Sequence, residues 1–433
     1  MPFRRASMHG ALFVAALAAA TLPAIAVAQD GSVEASDSGD TAWLLAATAL
    51  LLIAALPGMA LFQAGRTRTN AFVATLVQPA AVAAAVSLAW ILVGYTLAFG
   101  GVASGWLGGG NALALMELGN VRDGLSVPES AFALFQIGCA MLAAVIMIGA
   151  WSGRARFGWV VLFVTIWSVV VLAPVMHWLW GGGWLASASG TIDFAGGTAL
   201  EVSAGTSALV TAVLMGRGSD FDGERPIGLS PITLAGALLL WIGWFGLCGG
   251  SAFAANDDAA SALISAHAAA CAGGLARLLI DRLRGEPPRA ESFALGLVSG
   301  LAAIASAALY VSPAAAALIG AAGSALSAGA AWLVRRLRID DRLDVFALFA
   351  VPGAAGSLLV GVFMAPALGG TGYDDTMNPI AQIAGQTIGV VVVAAWSAIG
   401  STVIALMASL AFPMRVSEAS EEAGLDTAMH GER

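Results

Sequence analysis

The chain contains no lysine: all 19 of its basic residues are arginine, set against 27 acids for a net charge of −8. That excludes a lysine-rich face for nucleic acid. Cysteine is scarce too. Cys139, Cys248 and Cys271 lie in apolar runs, are odd in number and lack metal-ligand spacing, which argues against a disulfide framework or a zinc site. Charge itself is rare, at 11% of residues against 59% hydrophobic, and the mean hydropathy is +0.86. A soluble globular domain is thereby excluded, and a polytopic membrane protein is the class that remains. No nucleophile stands near a base and no nucleotide motif is present; the Gly181-Gly182-Gly183 run is a turn device without the following residues of a P-loop. Neither enzymatic turnover nor a cofactor or metal is expected.

What is present is apolar sequence in membrane-length blocks. Residues 1–28 carry Arg4 and Arg5, an apolar stretch and Ala26-Val27-Ala28, the three-part pattern of a cleavable secretory signal. Residues 29–41 read as a short external segment. Residues 42–411 form the transmembrane domain, with spans of roughly twenty residues or more near 42–65, 70–99, 129–151, 157–176, 197–216, 231–254, 258–281, 291–308, 312–334, 343–366 and 379–411. The eighth and ninth are rich in Ala and Gly, which pack helices closely but give a weak hydropathy signal. Arginines concentrate in alternate loops, for example Arg66, Arg154, Arg217, Arg282 and Arg335, whereas the other loops hold only Arg122. The positive-inside rule then places the first set in the cytoplasm. The expected architecture is all-α and integral to the cytoplasmic (inner) membrane, with about eleven crossings, an external N-terminus and a cytoplasmic tail over 412–433.

Chemistry concentrates between Pro174 and Ser203, where Trp178, Trp180, Asp193 and Glu201 sit among glycines between apolar spans. An ionisable residue inside a span is by default functional. Asp193 precedes Glu201 by eight positions, and Asp341 precedes Phe349 by eight, each leading into a span of opposite direction. This spacing suggests two inverted-topology halves that each deliver one side chain to a shared path.

These residues carry a resemblance. Pro57-Gly58-Met59-Ala60-Leu61-Phe62, Phe135-Gln136, His177-Trp178-Leu179-Trp180-Gly181-Gly182-Gly183, Asp193-Phe194-Ala195-Gly196-Gly197-Thr198, Gly243-Trp244-Phe245-Gly246, Gly250-Ser251, Asp340-Asp341 with Asp344-Val345-Phe346, and the tail motif Gly424-Leu425-Asp426 together resemble the ammonium transporter family (Amt/Mep/Rh), in a bacterial Amt-type form. The resemblance spans the whole mature chain. It implies a homotrimer in the lipid bilayer, one pore per protomer, and a tail that in relatives meets PII-type signalling proteins. By motif, Trp180 and Ser251 would recruit ammonium or methylammonium, and Asp193 would be the structural acid behind them. An aromatic face holds such a cation by about 0.5–2 kcal/mol.

The same alignment shows where this chain is divergent. The positions of the family's twin pore histidines hold Glu201 and Phe349, and its two outer phenylalanines are replaced by Cys139 and Leu247. Gln63 and Cys248 likewise depart from the pattern. Glu201 would then serve as the cation site or proton relay, with Phe349, Cys139, Leu247, Phe135 and Gln136 lining the pore. Blander readings stand beside these: Glu201 solvated one turn inside the boundary, Trp180 in an interfacial belt, Ser251 and Phe349 as packing residues. His177 and His267 are expected to be satisfied buried imidazoles, and Asp340-Asp341 a solvated loop paired with neighbouring arginines. Transport of ammonium is the first functional expectation. The alternative is a poorly conducting ammonium-binding sensor acting through a PII-type protein.

Overall fold

The computed structural model describes residues 36–101, 105–110, 113–223 and 228–431. The leader expected over 1–28, residues 29–35 of the expected external segment and the last two residues of the chain lie outside them.

Ten helices among the described residues are long and apolar enough to cross a membrane: α1 Ser38–Ala64, α2 Thr69–Phe99, α3 Glu129–Trp151, α4 Phe157–Trp180, α5 Gly197–Met215, α6 Ser230–Gly250, α7 Asp257–Leu283, α9 Pro313–Arg336, α10 Phe346–Phe363 and α11 Pro379–Ala411. Between α7 and α9 lies α8, Ala290–Ile304, of 15 residues. At 1.5 Å per residue it spans about 22 Å, short of a hydrocarbon core of about 30 Å. A run of hydrogen-bonded turns continues from it to Tyr310. The span expected over 291–308 falls on this element.

Local chemistry sets the helix starts. Asp37 accepts from Gly39 N at 2.8 Å and Asp40 N at 2.9 Å ahead of α1. Asn256 accepts from Ala259 N ahead of α7, whose first turn adds Asp257 and Asp258 where the macrodipole favours acids. Asn378 caps α11 with Pro379 at its first position, where a missing N–H costs nothing.

Helix α3 is the centre of the bundle, with 94% of its most apolar window buried, whereas the figure for α11 is 28%. Along their middles α7, α9 and α11 leave large apolar side chains exposed, among them Leu275, Leu318 and Ile399. An outward leucine suits hydrocarbon as it would not suit water. Small residues let the helices close up: a Cβ on Gly356 of α10 would collide with the Ala303 carbonyl of α8.

Helices α5 and α10 share one device. Each opens with a wide π turn, over Gly197–Val202 and Phe346–Ala350, and the two turns pack against each other. Before each stands a buried acid that accepts amides of the opening turn: Asp193 from Ala199 N at 2.7 Å, and Asp341 from Phe346 N at 2.8 Å. Glu201 and Phe349 therefore lie on matching turns deep in the bundle, 1% exposed each.

Two expectations are corrected here. Asp340 and Asp341 are buried, at 5% and 4% exposure. Asp340 pairs at 2.7 Å with Arg154 of the α3–α4 loop and more loosely, at 4.0 Å, with the neighbouring Arg342; Arg338 and Arg342 turn chiefly to Asp222 and Asp220. Folding brings the distant guanidinium against a buried carboxylate, where a bonded charge is tolerated and an unpaired one is not. His267 is exposed, stacked on Trp241 with ring centroids 5.2 Å apart, so it is not a buried imidazole. His177 is one, with Nδ1–H donating to the Ala98 carbonyl at 2.9 Å.

The tail folds back on the bundle. Two short helices, α12 Glu418–Ala423 and α13 Leu425–His430, are anchored where Asp426 accepts from Val73 N at 3.1 Å and Ala74 N at 2.7 Å, capping α2. Val416 N donates to the Arg154 carbonyl, and Glu421 joins Arg415 to Ser219 N.

Candidate functional site

A pocket of about 260 Å³ opens at the end of the bundle that the arginine count assigns to the outside, lined by Trp180, Ser251, Phe135, Gln136 and Cys139 together with Phe132, Phe194 and Phe253. Five of the nine site residues expected from sequence thus meet in one place. Trp180 comes from the last turn of α4, which Gly181 ends; its indole Nε1–H donates to the Asp193 carbonyl and fixes the ring. Ser251 follows α6 and spends its hydroxyl proton on the Leu247 carbonyl at 2.9 Å. Its oxygen is left with lone pairs to accept from a ligand. Gln136 is 2% exposed, and its Oε1 is buried with no partner.

Asp193 lies behind this pocket rather than in its wall. Oδ1 accepts from Gly196 N and Ser306 Oγ, and Oδ2 from Thr198 N and Ala199 N. All of its acceptor directions are committed to the loop, which leaves none for an ion. Burial raises its pKa to about 6 against the pull of these hydrogen bonds. Thr198 in turn donates to Ser357, as does Gln386, tying α5, α10 and α11 together beneath the pocket.

Deeper, Glu201 stands apart. It is 1% exposed, which removes the reading of a solvated side chain near the boundary. Neither Oε1 nor Oε2 has a hydrogen-bond partner. Gly353 makes room for it: a Cβ there would lie 2.9 Å from Glu201 Oε2 and 2.6 Å from the Gly197 carbonyl. Phe349 packs on the facing turn. Leu247 is buried and bonds Ser251 only through its carbonyl; its side chain, Glu201 and Phe349 do not line the pocket.

The opposite end is arginine-rich. A cavity of about 530 Å³ there is bordered by Arg66, Arg277, Arg342, Asp341 and Asp344. Arg66 bonds the Leu343 carbonyl and pairs with Asp344 at 2.9 Å. Burial first, and the like charge of Asp344 second, push Asp341 up to about 7 against the amides that bond it.

Sequence reasoning missed Phe253. Two residues beyond Ser251, it adopts φ +54°, a left-handed conformation that costs a Cβ-bearing residue roughly 1–2 kcal/mol. Its ring meets Phe132 at 5.2 Å and Phe135 at 5.7 Å. The available signal was a bulky aromatic in the turn after Gly249-Gly250-Ser251, where a small residue would be easier. Arg122, also at the pocket, is neutralised by Glu129 at 3.1 Å and lies over the Phe132 ring at 4.7 Å.

The model of the Ammonium Transporter Family matches residues 42–433. The ammonium transporter of Aquifex aeolicus is 37% identical over 399 residues, covering 92% of this chain and 93% of its own; that of Bacillus subtilis is 34% identical, covering 91% and 98%. The crystal structure of Candida albicans Mep2 superposes with a TM-score of 0.81 at 30% identity over 89% of this chain and 88% of that one. A structure described as a sensor Amt protein has the same fold, with a TM-score of 0.83 at 24% identity, covering 90% and 98%. With the motifs in their order on helices α1 to α11 and these matches across nearly its whole length, the chain belongs to the ammonium transporter family.

Proposed function

We propose that the protein moves ammonium across the cytoplasmic membrane, as the ion or as ammonia plus a proton, with Trp180 and Ser251 receiving it outside and Glu201 carrying charge or proton at mid-membrane. The observation that carries this reading is the Glu201 carboxylate, buried with both oxygens unpartnered. A group so costly in a span is retained for the ion it meets. Cation–π attraction at Trp180 and an acceptor at Ser251 suit a cation rich in N–H. Asp193 acts by holding the loop and, through its carbonyl, the Trp180 ring.

The fully buried Phe349 on the facing turn favours a second reading, in which the site is occupied but conduction is slow and the protein signals instead. The tail docked on α2 would then pass occupancy to a PII-type partner, within the homotrimer that the family resemblance implies. Ammonium-evoked current from purified protein in proteoliposomes on a solid-supported membrane separates the two. A saturable current that Trp180→Ala weakens supports transport; no current, with ammonium still raising the unfolding temperature, supports the sensor.

A further inference from the structure

The outer end of the bundle attracts cations of any charge. Asp257, Asp258, Asp374 and Asp375 stand exposed there, and Asp123 borders the pocket itself. Attraction to fixed acids grows with the charge of the ion, so such a surface concentrates dications more strongly than ammonium. One base stands against them. Arg122, the single arginine of the external loops, lines the pocket beside Trp180 and Ser251.

Arg122 is held on several sides. Its Nη1 donates to the Phe99 carbonyl at 3.0 Å and to Glu129 Oε1 at 3.1 Å, and the Tyr95 hydroxyl donates to the same Glu129 oxygen. The guanidinium lies over the Phe132 ring at 4.7 Å and the Phe99 ring at 5.7 Å. Its backbone is tied as well, with Arg122 N donating to the Val127 carbonyl at 3.0 Å. Of these partners Phe132 borders the pocket, whereas Glu129, Tyr95 and Phe99 do not. The ion pair, although neutral as a whole, therefore presents its positive end to the cavity, and one wall ring already carries a tethered cation.

We propose that Arg122 is a specificity-determining residue of this outer site, which makes it select singly charged cations and reject doubly charged ones. A fixed positive charge penalises a dication about twice as much in free energy as a monocation at the same point. A loss of affinity that ammonium tolerates is thus squared for a dication. The proposal rests on the reading of this pocket as the receiving site, but not on conduction.

The test is thermal unfolding of the purified full-length protein titrated with ammonium chloride or propane-1,3-diammonium dichloride at matched ionic strength. Wild type is compared with Arg122→Lys and with Arg122→Gln joined to Glu129→Gln, so that no carboxylate is left unpaired. Ammonium is expected to stabilise the wild type saturably, and the dication to do so only at much higher concentration. In the double variant the concentration needed should fall about threefold for ammonium and about tenfold, near its square, for the dication. Arg122→Lys keeps the charge without the guanidinium plane and should titrate as the wild type does, whereas a merely structural role would shift both variants. A dication midpoint that is unchanged or higher in the double variant, or a gain that survives addition of Trp180→Ala and so belongs to the surface acids, would overturn the proposal. A wild type blind to ammonium whose double variant still gains the dication would sink the receiving-site reading and leave this one standing.

Discussion

Replacing Glu201 by glutamine should make the protein more stable and less active at once. The carboxylate is 1% exposed with neither oxygen hydrogen-bonded, and an ionisable group at mid-helix costs about 2.5–3.5 kcal/mol. Glutamine has nearly the same shape and removes the ionisable group, but it keeps polar atoms that remain unsatisfied at about 1–3 kcal/mol. The expected net stabilisation is therefore on the order of 1 kcal/mol, read as a rise in unfolding temperature in detergent. Transport should move the other way. A carboxylate accepting from an N–H cation gains about 1.5–3 kcal/mol per charge-assisted bond, so losing one such bond lowers the rate at least about tenfold. Solid-supported-membrane currents in proteoliposomes give that number directly. Wild-type-like currents in the variant, or a lower unfolding temperature, would refute the assignment of Glu201 as a functional residue held at the expense of stability.

Three further outcomes follow from other parts of the bundle. Gly353→Ala would press a methyl to 2.6 Å from the Gly197 carbonyl and 2.9 Å from Glu201 Oε2, so it should destabilise the crossing of α5 and α10 and reduce current; a variant that unfolds and conducts as the wild type does would show that the crossing has slack. Asp341 has its pKa raised to about 7, chiefly by burial. The folded state thus holds a proton that the unfolded chain releases, so this group favours the fold at pH 5 and that contribution is lost as pH rises through about 7. Thermal stability should fall from pH 5 to 8 in the wild type and fall less in Asp341→Asn; equal slopes in the two would contradict it. Asp426→Ala removes the cap on α2, worth about 0.5–2 kcal/mol. Trypsin should then cut after Arg415 faster while the unfolding temperature of the transmembrane domain stays close to wild type, and an unchanged rate of cleavage would show the tail to be held elsewhere.

The expected spans lie within a few residues of the observed helices because membrane-length apolar blocks and their caps are local properties. The sequence also placed Asp193 and Asp341 at the entries of α5 and α10, since an eight-residue offset to a mid-span position survives any packing. It determined that the four expected lining residues other than Phe349 lie near the α3 and α6 ends that carry them, but not which would share a cavity. Only the tertiary structure decided that Cys139 reaches the pocket while the Leu247 side chain does not. It decided that Arg154, nearly two hundred positions away, is the tighter partner of Asp340, and that Glu201 is buried and unpartnered rather than near the boundary. Phe253 needed it most. Hydropathy and spacing report on a chain one neighbourhood at a time, whereas a left-handed turn that swings one ring onto two others from α3 is fixed by how those helices cross.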